Sequence, residues 1–86
     1  MASYDLVLSE EAARFLAAAP RSAQRRMSVI LDDLKAAPFR GGDLQERDAK
    51  GRLCEILIGA DWLVTFWVDH AVREIRVLRL ESVDEV

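Results

Sequence analysis

Ten of the twelve cationic side chains in this chain of 86 residues are arginines. Arginine carries a flat fork of five donors, which pairs carboxylates and phosphates two bonds at a time. Whether these arginines act together depends on their spacing. Arg47, Lys50 and Arg52 gather around one turn and form the best candidate for a local anion-binding patch, diluted by Asp43, Glu46 and Asp48. Arg73, Arg76 and Arg79 recur every third residue in an extended pattern. Side chains alternate along a strand with period two, so a regular strand puts Arg76 on one face and Arg73 and Arg79 on the other. Pairing with Glu55, Glu74 or Glu81 is then a more natural use for them than phosphate binding. Any catalytic constellation would have to come from Arg47, Lys50, Arg52, Arg76 and Arg79, which is a weak set. Arg21, Arg25 and Arg26 open a helical stretch, where each cation opposes the helix dipole at a cost of about 0.3–1 kcal/mol.

Other chemistry is sparse. His70 is the lone histidine and stands beside Asp69 in a turn pattern, which suits a solvated side chain. Cys54 is the lone cysteine, so no intrachain disulfide forms and a reducing compartment fits. Its alternating apolar surroundings suggest a small buried hydrophobe. The sequence holds no glycine-rich phosphate loop, nucleophile elbow or metal-ligand cluster, and the expectation is no cofactor and no metal.

The elements that must position these residues can be read from periodicity. Tyr4, Leu6 and Leu8 alternate onto one face of a first strand. Ser9 can cap a helix whose first turn holds Glu10 and Glu11 and whose apolar stripe is Ala12, Phe15, Leu16 and Ala19. Pro20 ends it. A second helix from about residue 22 to 37 buries Ala23, Met27, Ile30, Leu31 and Leu34, and stops at Pro38. The short connection implies a helical hairpin. Residues 44–49 are polar and ambiguous, and Asp48-Ala49-Lys50-Gly51 is a turn. Strands then run from Arg52 to Ile58, Trp62 to Val68 and Arg73 to Leu80, joined by short turns as an antiparallel meander. The tail from Glu81 to Val86 reads as acidic and frayed. The expected fold class is α+β, in the order β-α-α-β-β-β. It is a single domain over residues 1–86, with the helical hairpin on one face of a four-stranded, antiparallel-rich sheet.

Composition sets broad limits. Hydrophobic residues make up 51% of the chain, enough for a packed core, and the formal net charge is -3. No general basic field exists, which argues against non-specific nucleic-acid binding. The N-terminus MASYDLVLSEE has no signal-peptide pattern, and no apolar run approaches the roughly 20 residues needed to span a bilayer. A cytoplasmic protein without membrane attachment is expected.

The element order and spacing resemble the RelE/ParE superfamily of bacterial toxins from type II toxin–antitoxin systems. The resemblance is carried by Tyr4 to Leu8, Ser9-Glu10-Glu11-Ala12, Leu34-Lys35-Ala36-Ala37-Pro38 and Gly42-Asp43-Leu44. Arg52-Leu53-Cys54-Glu55-Ile56-Leu57-Ile58 and Asp61-Trp62-Leu63-Val64-Thr65-Phe66-Trp67-Val68 complete it. It implies growth inhibition and neutralisation by a cognate antitoxin that lies across the toxin. It also implies a toxin–antitoxin hetero-oligomer as the assembly and plasmid stabilisation as a setting; self-association through the exposed sheet, giving a homodimer, can coexist with any of these readings. RelE-like members are ribosome-dependent mRNA endonucleases, whereas ParE-like members poison DNA gyrase. Fold alone does not choose between them.

The chain departs from the endonuclease pattern. That chemistry needs a base, an acid and cations around the phosphate, and the resemblance places them on the side of the sheet away from the helices. With Cys54, Ile56 and Ile58 facing the helices, Glu55 and Leu57 fall on the open side. With Trp62, Val64, Phe66 and Val68 in the core, Leu63, Thr65 and Trp67 face out. Leu63 stands where the family often has an arginine. The chain stops before the usual C-terminal catalytic segment, and its one tyrosine is Tyr4. A set of Glu55, Leu57, Leu63, Thr65 and Trp67 suits protein contact, with Trp67 as anchor. A one-residue slip would present Cys54, Ile56 and Ile58 instead, which is no more catalytic. The leading expectation is a toxin acting on a protein target such as gyrase. The alternatives are a ribosome-dependent endonuclease with atypical residues and a non-toxic interaction module.

Overall fold

The computed structural model describes residues 3–59 and 61–83. The elements are β1 (Asp5–Leu8), α1 (Glu10–Ala18), α2 (Arg21–Ala36), β2 (Leu44–Arg47), β3 (Leu53–Ile58), β4 (Trp62–Asp69) and β5 (Glu74–Ser82). The sheet order is β1-β5-β4-β3-β2, with β1 parallel to β5 and all other pairs antiparallel. The expected α+β order holds, but the sheet has five strands where four were expected. The extra strand is β2, whose sequence Leu44-Gln45-Glu46-Arg47 lacks an apolar alternation because it is an exposed edge. The order β-α-α-β-β-β thus gains one hairpin partner. Of the tail, Glu81 and Ser82 belong to β5, and residues 84–86 lie outside the described residues.

Both helices cover one face of the sheet. Ala23, Met27, Leu31 and Leu34 of α2 and Ala12 of α1 meet Trp62, Val64, Phe66, Ile75, Val77 and Leu80 in the core, flanked by Leu6, Leu8, Phe15, Leu16 and Ile30. The periodicities of 3.6 and 2 read from the sequence therefore point at the same core. Two residues, Ala19 and Pro20, join the helices, and the Leu16 carbonyl at the end of α1 accepts from both the Ala19 N–H (3.2 Å) and the Gln24 side chain (3.0 Å). Among the described residues, no helix is long and apolar enough to cross a membrane.

One irregularity sets the register of everything beyond it. Phe66 pairs with Val77 and Thr65 with Arg79, so Leu78 is an extra residue in β5. The apolar positions Ile75, Val77 and Leu80, spaced by two and then three, are how the bulge shows in the sequence. A regular strand would aim Arg79 into the helices and Leu80 away. The bulge reverses both, so Arg79 escapes burial and Leu80 enters the core. Ser9 fastens this point. Its hydroxyl donates to the Leu78 carbonyl (2.7 Å) and accepts from Ala12 N–H (3.0 Å), while its own N–H donates to the Val77 carbonyl (2.9 Å). One side chain caps α1 and satisfies the carbonyl at the bulge.

Ser9→Ala loses both hydroxyl bonds and is expected to cost about 1–2 kcal/mol in chemical unfolding. Ser9→Asp keeps the cap acceptor but cannot donate to Leu78, so its loss should be comparable to or larger than that of Ser9→Ala. An undiminished midpoint for Ser9→Ala would show that the bulge needs no fastening.

Candidate functional site: the open face of the sheet

The face away from the helices follows from the pairing register. Leu44, Ile56, Thr65 and Arg79 form one cross-strand row, Glu46, Cys54, Trp67 and Arg76 the next, and Ile58, Leu63 and Glu81 a third. The expected placement of β4 is therefore observed, with Leu63, Thr65 and Trp67 on the open face. The expected placement of β3 is reversed. Leu57 pairs with Val64 and packs on the core, and Glu55 pairs with Phe66. Cys54, Ile56 and Ile58 face out instead. Alternation cannot distinguish the faces of β3, because its six residues are apolar except Glu55.

Local hydrogen bonds explain the reversal. The Glu55 carboxylate accepts from Gly42 N–H (2.9 Å) and the Gln45 amide (3.0 Å). Asp43 N–H donates to the Ile56 carbonyl (2.8 Å), and the Asp43 carboxylate accepts from Ile58 N–H (2.8 Å). Gly42 lies so close to β3 that a Cβ there would sit 2.7 Å from the Ile56 carbonyl oxygen. The loop after α2 thus clamps β3 in its register.

The arginines divide in a way that spacing alone did not reveal. Because of the bulge, Arg76 and Arg79 share the open face, correcting the expectation that they alternate; Arg73 lies in the preceding turn with φ 56°. Arg52 lies 4.2 Å from the Trp67 ring centroid and Arg76 6.0 Å from it. These side chains and Asp69 line a hollow of about 430 Å³ beside Ser9 and Leu78. Arg47 and Lys50 do not join them. Arg47 donates to the Gly51 carbonyl, and Lys50 is exposed in the turn, where its N–H reaches the Asp48 carboxylate. Hydrogen bonds from the backbone of Arg52, and, against some desolvation, of Lys50 hold the Asp48 carboxyl below its usual range.

The open face is therefore not poor in cations, as the sequence suggested, but its cations are taken. Arg76 pairs with Glu74, Arg79 with Glu46 (3.1 Å) and Glu81 (3.3 Å), and Arg52 lies 4.0 Å from Asp48. Burial works against the charge on Arg79, but Glu81 and Glu46 outweigh it and raise its pKa. The Arg79–Glu46 pair joins β5 to β2 across two intervening strands, a span of about 14 Å at ordinary strand spacing. An extended arginine, an extended glutamate and the hydrogen bond between them are together just long enough to span that distance across the open face. Beneath lie Thr65, 2% exposed, and Cys54, 0% exposed. Burial pushes the Cys54 thiol up, with Asp48 and Glu46 adding to the shift. The Thr65 hydroxyl and the Trp67 indole N–H are buried without a hydrogen-bond partner among the described residues. Beside this roofed zone, the face is apolar: Leu44 is 56% and Ile58 47% exposed, next to Ile56 and Leu63.

His70 lies outside this face and is less solitary than expected. Its Nδ1 is hydrogen-bonded to the Tyr4 hydroxyl (2.7 Å), and its ring stacks on exposed Phe39 with centroids 4.6 Å apart. The partners are 66 and 31 positions away, so no local motif announces the cluster.

Solved structures share this fold. The RelE–RelB complex of the archaeon Pyrococcus horikoshii OT3 contains a chain with TM-score 0.74 and 16% identity, covering 99% of this chain and 100% of that one. The intact Escherichia coli RelBE toxin–antitoxin complex gives 0.73 and 13%, covering 96% and 100%. The Mycobacterium tuberculosis RelBE2 toxin–antitoxin complex gives 0.68 and 20%, covering 95% and 93%. No family model matches the sequence, and no curated protein does.

If Arg79 and Glu46 roof the open face, Cys54 should resist a thiol reagent in the native protein, and Arg79→Ala should speed its labelling several-fold without global unfolding. Equal labelling rates in the two proteins would place the shield elsewhere.

Proposed function

We propose that this chain, which has the fold of the RelE toxins over nearly its whole length, is the toxin of a type II toxin–antitoxin pair. It inhibits growth by binding a protein target through the open face of its sheet and is neutralised by a cognate antitoxin. The three fold neighbours above come from a RelE–RelB complex and two toxin–antitoxin complexes, which supports the antitoxin partnership.

The observation that carries the protein-binding reading is the pairing of every open-face arginine. Arg52, Arg76 and Arg79 share the face with Glu46, Glu74, Glu81, Asp69 and Asp5. Three cations against five carboxylates give no field to attract a polyanion. Cys54, Ile56, Leu63 and Thr65 occupy its centre, and none can act as a phosphate-binding cation or as an acid near neutrality. A tryptophan flanked by arginines on the same face as exposed Leu44 and Ile58 has the composition of a protein-binding hot spot. Gyrase, the target that the sequence resemblance implies for ParE-like members of the superfamily, fits such contact.

One feature favours the endonuclease reading. Arg52, Arg76 and Trp67 do line a hollow, and Glu46 beside Arg79 pairs a carboxylate base with a cation. Cleavage through that set would use an open-face carboxylate as base and two or three arginines on the phosphate.

Induced expression separates the readings. Protein poisoning of gyrase predicts growth arrest with a DNA-damage response and intact transcripts, relieved by Trp67→Ala in a folded variant. Transcripts cut at ribosomes, with arrest abolished by Glu46→Gln, would overturn the protein-binding reading in favour of the nuclease. No arrest at all would leave an interaction module.

A further inference from the structure

We infer that the roofed end of the open face is a receptor for one carboxylate of a protein partner, an aspartate or glutamate side chain that displaces Glu46 from Arg79. The inference deepens the protein-binding reading above and rests on it for the identity of the partner.

Three independent features meet at this point. The Arg79 guanidinium is held on the open face by the bulge and reaches a carboxylate from a strand three places away. Glu46 is a half-exposed residue of the sheet's edge strand, so it can swing into solvent without disturbing the core. Thr65 stands opposite Arg79 in the register and Trp67 stands in the next row opposite Arg76, and the Thr65 hydroxyl and the Trp67 indole N–H are buried with no hydrogen-bond partner among the described residues. Unpaired buried polar groups are costly and uncommon, and both of these can donate to an incoming oxygen. The Glu46 carboxylate bonds Arg79 but neither of these groups. A carboxylate arriving from outside can take the same guanidinium and use the donors that Glu46 leaves unused.

Charge selects a carboxylate over a phosphodiester chain. A single carboxylate adds only one negative charge, and the displaced Glu46 side chain at the sheet edge is screened by solvent. A nucleic-acid backbone would bring further phosphates against Glu74, Glu81 and Asp69. The apolar strip of Leu44, Ile56, Ile58 and Leu63 continues from the same rows, so the partner's acidic residue is expected beside an apolar one. Glu46 is then a built-in competitor: it keeps Arg79 paired until a better-placed carboxylate arrives.

The test is an NMR titration of the full chain, following the Trp67 indole N–H resonance, assigned through Trp67→Phe. The probes are N-acetyl-aspartate amide and inorganic phosphate at constant ionic strength. Saturable shifts with N-acetyl-aspartate amide are expected, weaker with phosphate. Glu46→Gln should tighten the aspartate probe about two- to fivefold, the range set by a half-exposed ion pair. Arg79→Gln should remove the saturable shift. Because Glu46→Gln gains binding, its result does not depend on a variant that fails to fold. Absence of saturation, tighter binding of phosphate, or an unchanged affinity in Glu46→Gln would each overturn the proposal. The growth and transcript assays above read the toxin function separately, so a nuclease outcome there and a positive titration here can be told apart.

Discussion

The hydroxyl of Ser9 holds together the two features on which the open face depends. It caps α1, and it ties the end of β1 to the carbonyl of Leu78, the extra residue of β5. The bulge so fixed shifts every later side chain of β5 to the other face. Leu80 joins the core, and Arg79 turns outward to lie beside Arg76. Without that shift an arginine would point into the helices, where an unpaired charge costs several kcal/mol. The same shift closes the bridge to Glu46 and roofs Cys54 and Thr65. Core packing and surface chemistry thus follow from one irregularity.

Much of the architecture was legible because two periods agree. The stripes of α1 and α2, the face of β1 and the face of β4 were all set by simple spacing, and each packs as its spacing implies. The parts that were not legible fail for physical reasons. β2 is an edge strand that needs no buried face, so it has no alternation to find. β3 is apolar on both sides, because its open face is roofed and its other face packs on the core, and period two then carries no information about which side is which. The fate of Arg79 turned on a bulge whose trace, the change from two to three in the spacing of Ile75, Val77 and Leu80, is visible only to a reader who looks for it.

The site shows the same division. Leu63, Thr65 and Trp67 stand on the open face as alternation requires, while Glu55 and Leu57 do not. Glu55 is spent on the loop that holds β3, a role set by Gly42 and Gln45, which no strand pattern encodes. The arginines were individually visible, but their convergence was not. Their charges are then largely cancelled by Glu74, Glu46 and Glu81, so a face with three guanidiniums does not become a phosphate trap. Paired arginines, a tryptophan and an apolar strip favour contact with another polypeptide, where short-range fit counts for more than a long-range field.

The most direct test of this account is a double-mutant cycle on Glu46 and Arg79, using Gln at both positions and chemical unfolding as the readout. Partners that meet across the open face should show a coupling of about 0.5–1 kcal/mol that shrinks with added salt. Strictly additive losses would mean that the two side chains do not meet, and that β5 runs without the bulge that places them together.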